Sequence, residues 1–233
     1  MSIDRRNELA RGLVQVRERI AAACLTAGRS TADVDLLVVT KTFPATDLEL
    51  LAELGCTDVG ESRDQEARAK RDTVRASLRW HMIGQVQRKK ARHVAAWADV
   101  IESVDRPELA DALQTAALGL GRTIDVLLQV SLDPVDRPDR GGVGLGGLQA
   151  LAAHVLGLSA LRLRGVMAVA PLAVEPKEAF TVLAQAHQEL LRLAPEATIM
   201  SAGMSQDLEA AISCGATQVR IGGAILGNRP PLK

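Results

Sequence analysis

Val34-Asp35-Leu36-Leu37-Val38-Val39-Thr40-Lys41-Thr42-Phe43-Pro44 is a short, apolar, β-branched run that stops at a lysine and a proline before a helical stretch begins. Repetition of this unit decides the fold. Runs of the same kind recur at Thr57 to Gly60, Arg79 to Ile83, Val100 to Val104, Thr123 to Leu132, Leu161 to Ala168, Ala197 to Ser201 and Gln218 to Ile221, with helical segments between them. Strands that alternate with helices pair in parallel. Eight such units in 233 residues come close to the ~250 residues typical of a (β/α)8 barrel. A doubly wound open sheet competes, but it usually needs fewer strands. The expectation is therefore an α/β fold, a single (β/α)8 TIM barrel over residues 34–227. An extra N-terminal helix over 3–28 precedes it, in which Leu9, Leu13, Val16, Ile20 and Cys24 recur every three or four positions and Gly28 supplies the stop. Residues 1–233 read as one domain.

The 28 Lys+Arg balance 28 Asp+Glu, and 47% of the chain is hydrophobic. That balance argues against a disordered chain and against an overall nucleic-acid-binding charge. Tyrosine is absent, so no mechanism can take a tyrosine of this chain as acid or base. Cys24, Cys56 and Cys214 are far apart and form no C-x-x-C pair, and His81, His93, His154 and His187 are scattered. No metal site is expected. With no apolar leader and no run near the ~18 apolar residues of a membrane span, the expected location is a reducing cytoplasm. Charge is nonetheless uneven: Glu61 to His93 carries ten Lys/Arg against four Asp/Glu, and Glu175 to Ile212 two against six. Solvated barrel helices explain this, with an anion or RNA patch as the alternative.

On a barrel, chemistry sits where strands end. Lys41 ends the first run, embedded in apolar sequence, where desolvation favours the neutral, nucleophilic amine that condenses with an aldehyde. The alternative is a lysine that reaches solvent or pairs with an acid such as Glu61. The eighth run ends in Arg220-Ile221-Gly222-Gly223 and the seventh in Ser201-Ala202-Gly203-Met204-Ser205. Small-residue loops after strands seven and eight suit a phosphate cup, and a glycine-eased turn with Ser205 as helix cap is the alternative. Gly142 to Gly147 matches G-x-G-x-x-G, but no Asp or Glu follows between Arg140 and Ala173 to hold a ribose. A loop is expected there. His81, in Trp80-His81-Met82-Ile83-Gly84, reads as a packed core histidine or a ligand contact at the barrel mouth.

Five segments together resemble the pyridoxal phosphate homeostasis protein family. They are Val39 to Pro44, Gly60 to Glu66, Trp80 to Gln87, Ser201 to Ser205 and Val219 to Gly222. The resemblance implies a fold-type III barrel like that of alanine racemase, without its second, β-rich domain. It further implies pyridoxal 5'-phosphate held as a Schiff base on Lys41. Ser201, Gly222, Gly223 and the backbone at Ala202 would hold the phosphate, Arg220 would face the pyridine nitrogen, and Ser62 and His81 would lie near the cofactor. Departures from the family pattern are Ser62 for Asn, Ala202 for Met, Gly223 for Thr and Lys89 for Asn.

The implied role is a non-catalytic carrier or regulator of the cofactor pool. Its partners would be the cofactor and the apo enzymes that receive it, with neither membrane nor nucleic acid, as a monomer or weak dimer. An amino-acid racemase or related fold-type III enzyme is the leading alternative, and it would need a second proton carrier. An RNA-binding or protein-interaction module on the basic face is a third class.

Overall fold

A computed structural model describes residues 3–133 and 141–227. Eight parallel strands close into a barrel in chain order, with the last pairing to the first. They are β1 Asp35–Val39, β2 Asp58–Glu61, β3 Arg79–Met82, β4 Val100–Val104, β5 Ile124–Gln129, β6 Leu161–Met167, β7 Ile199–Ser201 and β8 Gln218–Ile221. The helices are α1 Ile3–Thr26, α2 Ala45–Glu53, α3 Asp64–Arg71, α4 Ala91–Trp97, α5 Pro107–Gly119, α6 Leu148–Leu156, α7 Pro176–Leu193, α8 Leu208–Ser213 and α9 Gly223–Leu226. The TIM barrel expected from the sequence is the fold observed. Its fifth strand stops at Gln129 because the ladder passes there to Val143, whose N–H donates to the Gln129 carbonyl while Ser131 N–H donates to Val143. The glycine-rich segment is thus the β5–α6 connection, as expected of a loop, and its neighbours 134–140 lie outside the described residues.

Alternation along each strand assigns its two faces. Val219 and Ile221 of β8 pack outward in an apolar cluster with Leu9, Leu13 and Val16 of α1 and Ile212 of α8. Polar bonds fasten helix α1 and the turn after it: Arg5 binds Asp47 and the Leu226 carbonyl, and Arg29, just beyond the helix, binds the carbonyls of Ile212 and Ala216. Gln218 and Arg220 therefore face inward. The interior is unlike the Val, Ile and Leu layers that usually fill such barrels. Glu102 of β4 accepts from Gln218 of β8 across it, at 2.7 Å. Near the strand starts, Asp125 pairs with Arg79 and with Arg162. A charge can stay inside a core where it is hydrogen-bonded, as Glu102 is by three donors.

Among the described residues no helix is long and apolar enough to cross a membrane, and no group of His, Cys, Asp and Glu could hold a metal. Burial pushes the Cys56 thiol up to about 11, so it stays protonated.

Candidate functional site

A cavity of about 500 Å3 opens at the carboxyl ends of the strands. Lys41 reaches it from the turn after β1, Ala170 and Pro171 from the segment after β6, and Met204 to Asp207 from the loop after β7. Arg220, Gly222 and Gly223 close it from the end of β8. This is the face on which such barrels carry their chemistry. A Cβ built on Gly223 would meet nothing within 4 Å, whereas one on Gly222 would lie 3.1 Å from the Val39 carbonyl oxygen. The backbone at Gly223 thus borders open space, and at Gly222 it packs tightly on β1.

Arg220 is buried, and its guanidinium is fixed by three acceptors. One terminal nitrogen donates to the Ser201 carbonyl at 2.7 Å and to the Ser201 hydroxyl at 2.8 Å, and the other to the Ala168 carbonyl at 2.7 Å. Behind it stands Glu102, fully buried. Its carboxylate accepts from the Ser201 hydroxyl, Gln218 Nε2 and His81 Nδ1, all at 2.7 Å. His81 Nε2 lies 2.9 Å from Asp58 Oδ1. A continuous chain of hydrogen bonds therefore runs Asp58–His81–Glu102–Ser201–Arg220 from the barrel floor to the cavity. Burial opposes ionisation of His81, but its bonds to Asp58 and Glu102 and their charges outweigh that, so its pKa is raised. Burial likewise opposes the Glu102 carboxylate, and the bond to His81 with the His81 and Arg220 charges draws its pKa down. Both ring nitrogens of His81 face carboxylate oxygens, and the pair links the floor to Arg220. Burial lowers the Arg220 pKa against the fields of Glu102 and Asp207, yet a guanidinium does not lose its proton in a protein.

The sequence expectations for individual residues fare unevenly. Lys41, Arg220, Gly222 and Gly223 meet in one cavity. A second lysine, Lys70 of α3, is buried more deeply than Lys41. The acid named as a partner for Lys41 is engaged elsewhere: Glu61 Oε1 accepts from Lys70 Nζ and Thr40 Oγ1, both at 2.7 Å. Ser201 and Ala202, expected as phosphate contacts, are not among the residues lining this cavity. The one Ser201 hydroxyl proton goes to Glu102 while Arg220 and Gln218 donate to its oxygen, and the Ala202 N–H donates to the Gln218 carbonyl. The Ser201 hydroxyl and the Ala202 N–H are thus both engaged within the barrel. His81 sits below the cavity, as the core histidine of the two readings. Ser62 lines a separate cavity of about 590 Å3 with Arg63, Gln85, Gln87 and Lys90. In the basic stretch, Arg63, Arg88, Lys89 and Arg92 are exposed, as solvated helix faces should be.

Glu102, Gln218 and Asp58 escaped the sequence reading. A signal existed for Glu102, an acid at the centre of the apolar run Val100 to Val104. Another existed in β8, where Gln218 and Arg220 share the parity opposite to Val219 and Ile221.

Comparison with known proteins bears directly on this geometry. The family described as "Alanine racemase, N-terminal domain" matches residues 17–230. A Mycobacterium leprae protein named "Pyridoxal phosphate homeostasis protein" is 42% identical, over 96% of this chain and 94% of its own. The chain belongs to the pyridoxal phosphate homeostasis protein family. Solved structures agree: PipY of Synechococcus elongatus with PLP bound superposes with a TM-score of 0.82 at 32% identity, covering 94% of this chain and all of PipY. An alanine racemase of Clostridium difficile shares the fold alone, with a TM-score of 0.75 at 18% identity and only 57% of its length matched. In the pyridoxal phosphate homeostasis protein family, then, this chain matches the length of its relatives.

Proposed function

We propose that this chain binds pyridoxal 5'-phosphate reversibly, as a Schiff base on Lys41, and serves cofactor homeostasis in the cytoplasm without turning over substrates. The observation that carries the reading is that Lys41, Arg220 and the side-chain-free backbone of Gly222–Gly223 border one cavity. An amine, a fixed cation and a cradle into which no Cβ projects suit an aromatic aldehyde that bears a phosphate. The family and the PLP-bound relative support the same choice. When bound, the cofactor supplies an aldehyde carbon with which a lysine amine condenses, forming C=N and releasing water.

This chain's own residues set the rest. Arg220, locked by Ser201 and Ala168, presents a permanent donor and cannot give up a proton, so a pyridine nitrogen facing it stays unprotonated and the ring is a weak electron sink. Phosphate donors are to be sought at Gly222, Gly223 and the Ser205–Gln206 loop. Lys41, Asp207 and Arg220 are the titratable groups lining the cavity among the described residues. His81, committed to Asp58 and Glu102, is withdrawn from any proton transfer there. A racemase needs two acid–base groups on opposite faces of its substrate, and the one carboxylate lining the cavity among the described residues, Asp207, already accepts from the Met204 N–H. Transfer to apo enzymes by a monomer or weak dimer of this single domain completes the proposal. Absorbance titration of the cofactor-free protein with pyridoxal 5'-phosphate tests it: a visible band should form in the parent and not in Lys41→Ala, while a parent without the band refutes the binding itself.

A further inference from the structure

We infer that the Lys70–Glu66–Glu61 cluster, in which Lys70 and Glu61 are buried, sets the backbone turn that carries Lys41, with Glu66 the acceptor that holds Thr42 in its left-handed conformation. The inference rests on the reading of Lys41 as the cofactor lysine. Thr42 has φ +73° and is the one non-glycine residue with positive φ among the described residues. A β-branched side chain disfavours that region strongly, so something outside the residue must hold it. Its own hydroxyl does not, because Thr42 Oγ1 is buried without a hydrogen-bond partner. Its N–H donates instead to Glu66 Oε1.

The same oxygen accepts from Lys70 Nζ at 2.6 Å, one turn along α3. Lys70 gives its other two protons to Glu61 Oε1 at 2.7 Å and to the Thr40 carbonyl at 2.9 Å. Thr40 Oγ1 donates to Glu61 Oε1 at 2.7 Å. The residues on both sides of Lys41 are thus fastened to one charged cluster, Thr40 by carbonyl and hydroxyl and Thr42 by its N–H. All three ammonium donors of Lys70 are spent, which makes it a positioning residue and not a second aldehyde-reactive lysine. Lys41, between them, lines the cavity.

The test compares Glu66→Ala, Glu66→Gln and the double variant Glu66→Ala with Thr42→Gly, each first checked for native circular dichroism. Two readouts follow: the dissociation constant for pyridoxal 5'-phosphate, and the rate at which formaldehyde with borohydride methylates Lys41 in the cofactor-free protein, with Lys177 as internal standard. Glu66→Ala should weaken cofactor binding by about tenfold or more, as misplacement of a reacting group does, and should change the Lys41 rate relative to Lys177. Glu66→Gln, whose amide oxygen still accepts from Thr42, should stay close to the parent. Thr42→Gly should restore Glu66→Ala, because glycine takes a positive φ unaided. A merely structural loss would not be repaired in that way. Should Glu66→Ala fail to fold, Glu66→Met removes the acceptor while keeping the volume, and the same expectations apply. Parent-like values in the acceptor-less variant, or no recovery with Thr42→Gly, overturn the inference. A parent that binds no cofactor refutes the Lys41 reading instead, and the methylation rates then decide the clamp on their own.

Discussion

Arg220 owes its direction to three neutral acceptors and its charge balance to Glu102, so mutation of single residues in this set should be read as a change in what reaches the cavity. Gly223 is the simplest case. A Cβ there meets nothing within 4 Å, so Gly223→Thr should fold normally and add a hydroxyl beside the anion. We predict about tenfold tighter cofactor binding in that variant, the size of one hydrogen bond to a charged acceptor, measured by absorbance titration; unchanged affinity would place the phosphate elsewhere. His81 gives a pH prediction. Folded His81 has a raised pKa against ~6.5 unfolded. Its contribution to stability is therefore fully present below pH ~6.5 and is lost as pH rises through the raised folded value. Glu102, with its pKa lowered, contributes with the opposite sign: its share is present above ~4.3 and is lost as pH falls through the lower folded value. Urea midpoints should show a plateau with a decline on either side, and His81→Gln should flatten the alkaline decline. A parent midpoint that keeps rising above pH ~6.5 would contradict the charged His81.

Elements place these residues, and helix α1 matters because it backs the end of β8. Gly12 lets α1 approach α9 so closely that an added Cβ would sit 2.7 Å from the Ile225 carbonyl oxygen and 2.9 Å from Ile225 Cα. Backbone cannot yield as a side-chain tip can. Gly12→Ala should cost about 1–3 kcal/mol and should loosen cofactor retention too, since α9 begins at Gly223. Urea denaturation and cofactor titration of the same variant check both halves. Elements were also the most legible level of the sequence, because hydrophobic periodicity and turn residues are local. Lys41, Arg220, Gly222 and Gly223 could be placed for that reason, each lying within a few residues of a recognisable strand end. The Glu102–Gln218 bond joins residues 116 positions apart and the Lys70 cluster joins α3 to the β1 turn. Such pairings are properties of barrel closure, so Lys70 and Glu66 looked like members of a charged helix face. The bond from the Ser201 hydroxyl to Glu102, 99 positions away, is likewise visible only in the closed barrel.

For the whole molecule, the interior chain of hydrogen bonds runs from Asp58 to an arginine fixed at the cavity. With no tyrosine in the chain and His81 withdrawn, incubation with L-amino acids in deuterated water should show at most slow Cα exchange, because losing a general acid–base partner typically removes ~10²–10⁴ in rate. Turnover at about 1–10³ s⁻¹, abolished in Lys41→Ala, would establish an enzyme instead. The central claim remains that Lys41 carries the cofactor. Borohydride reduction of the protein loaded with pyridoxal 5'-phosphate, followed by peptide mass spectrometry, tests it most directly: the adduct is predicted on the peptide containing Lys41, and an adduct on Lys70, Lys89, Lys90 or any other lysine would contradict the account.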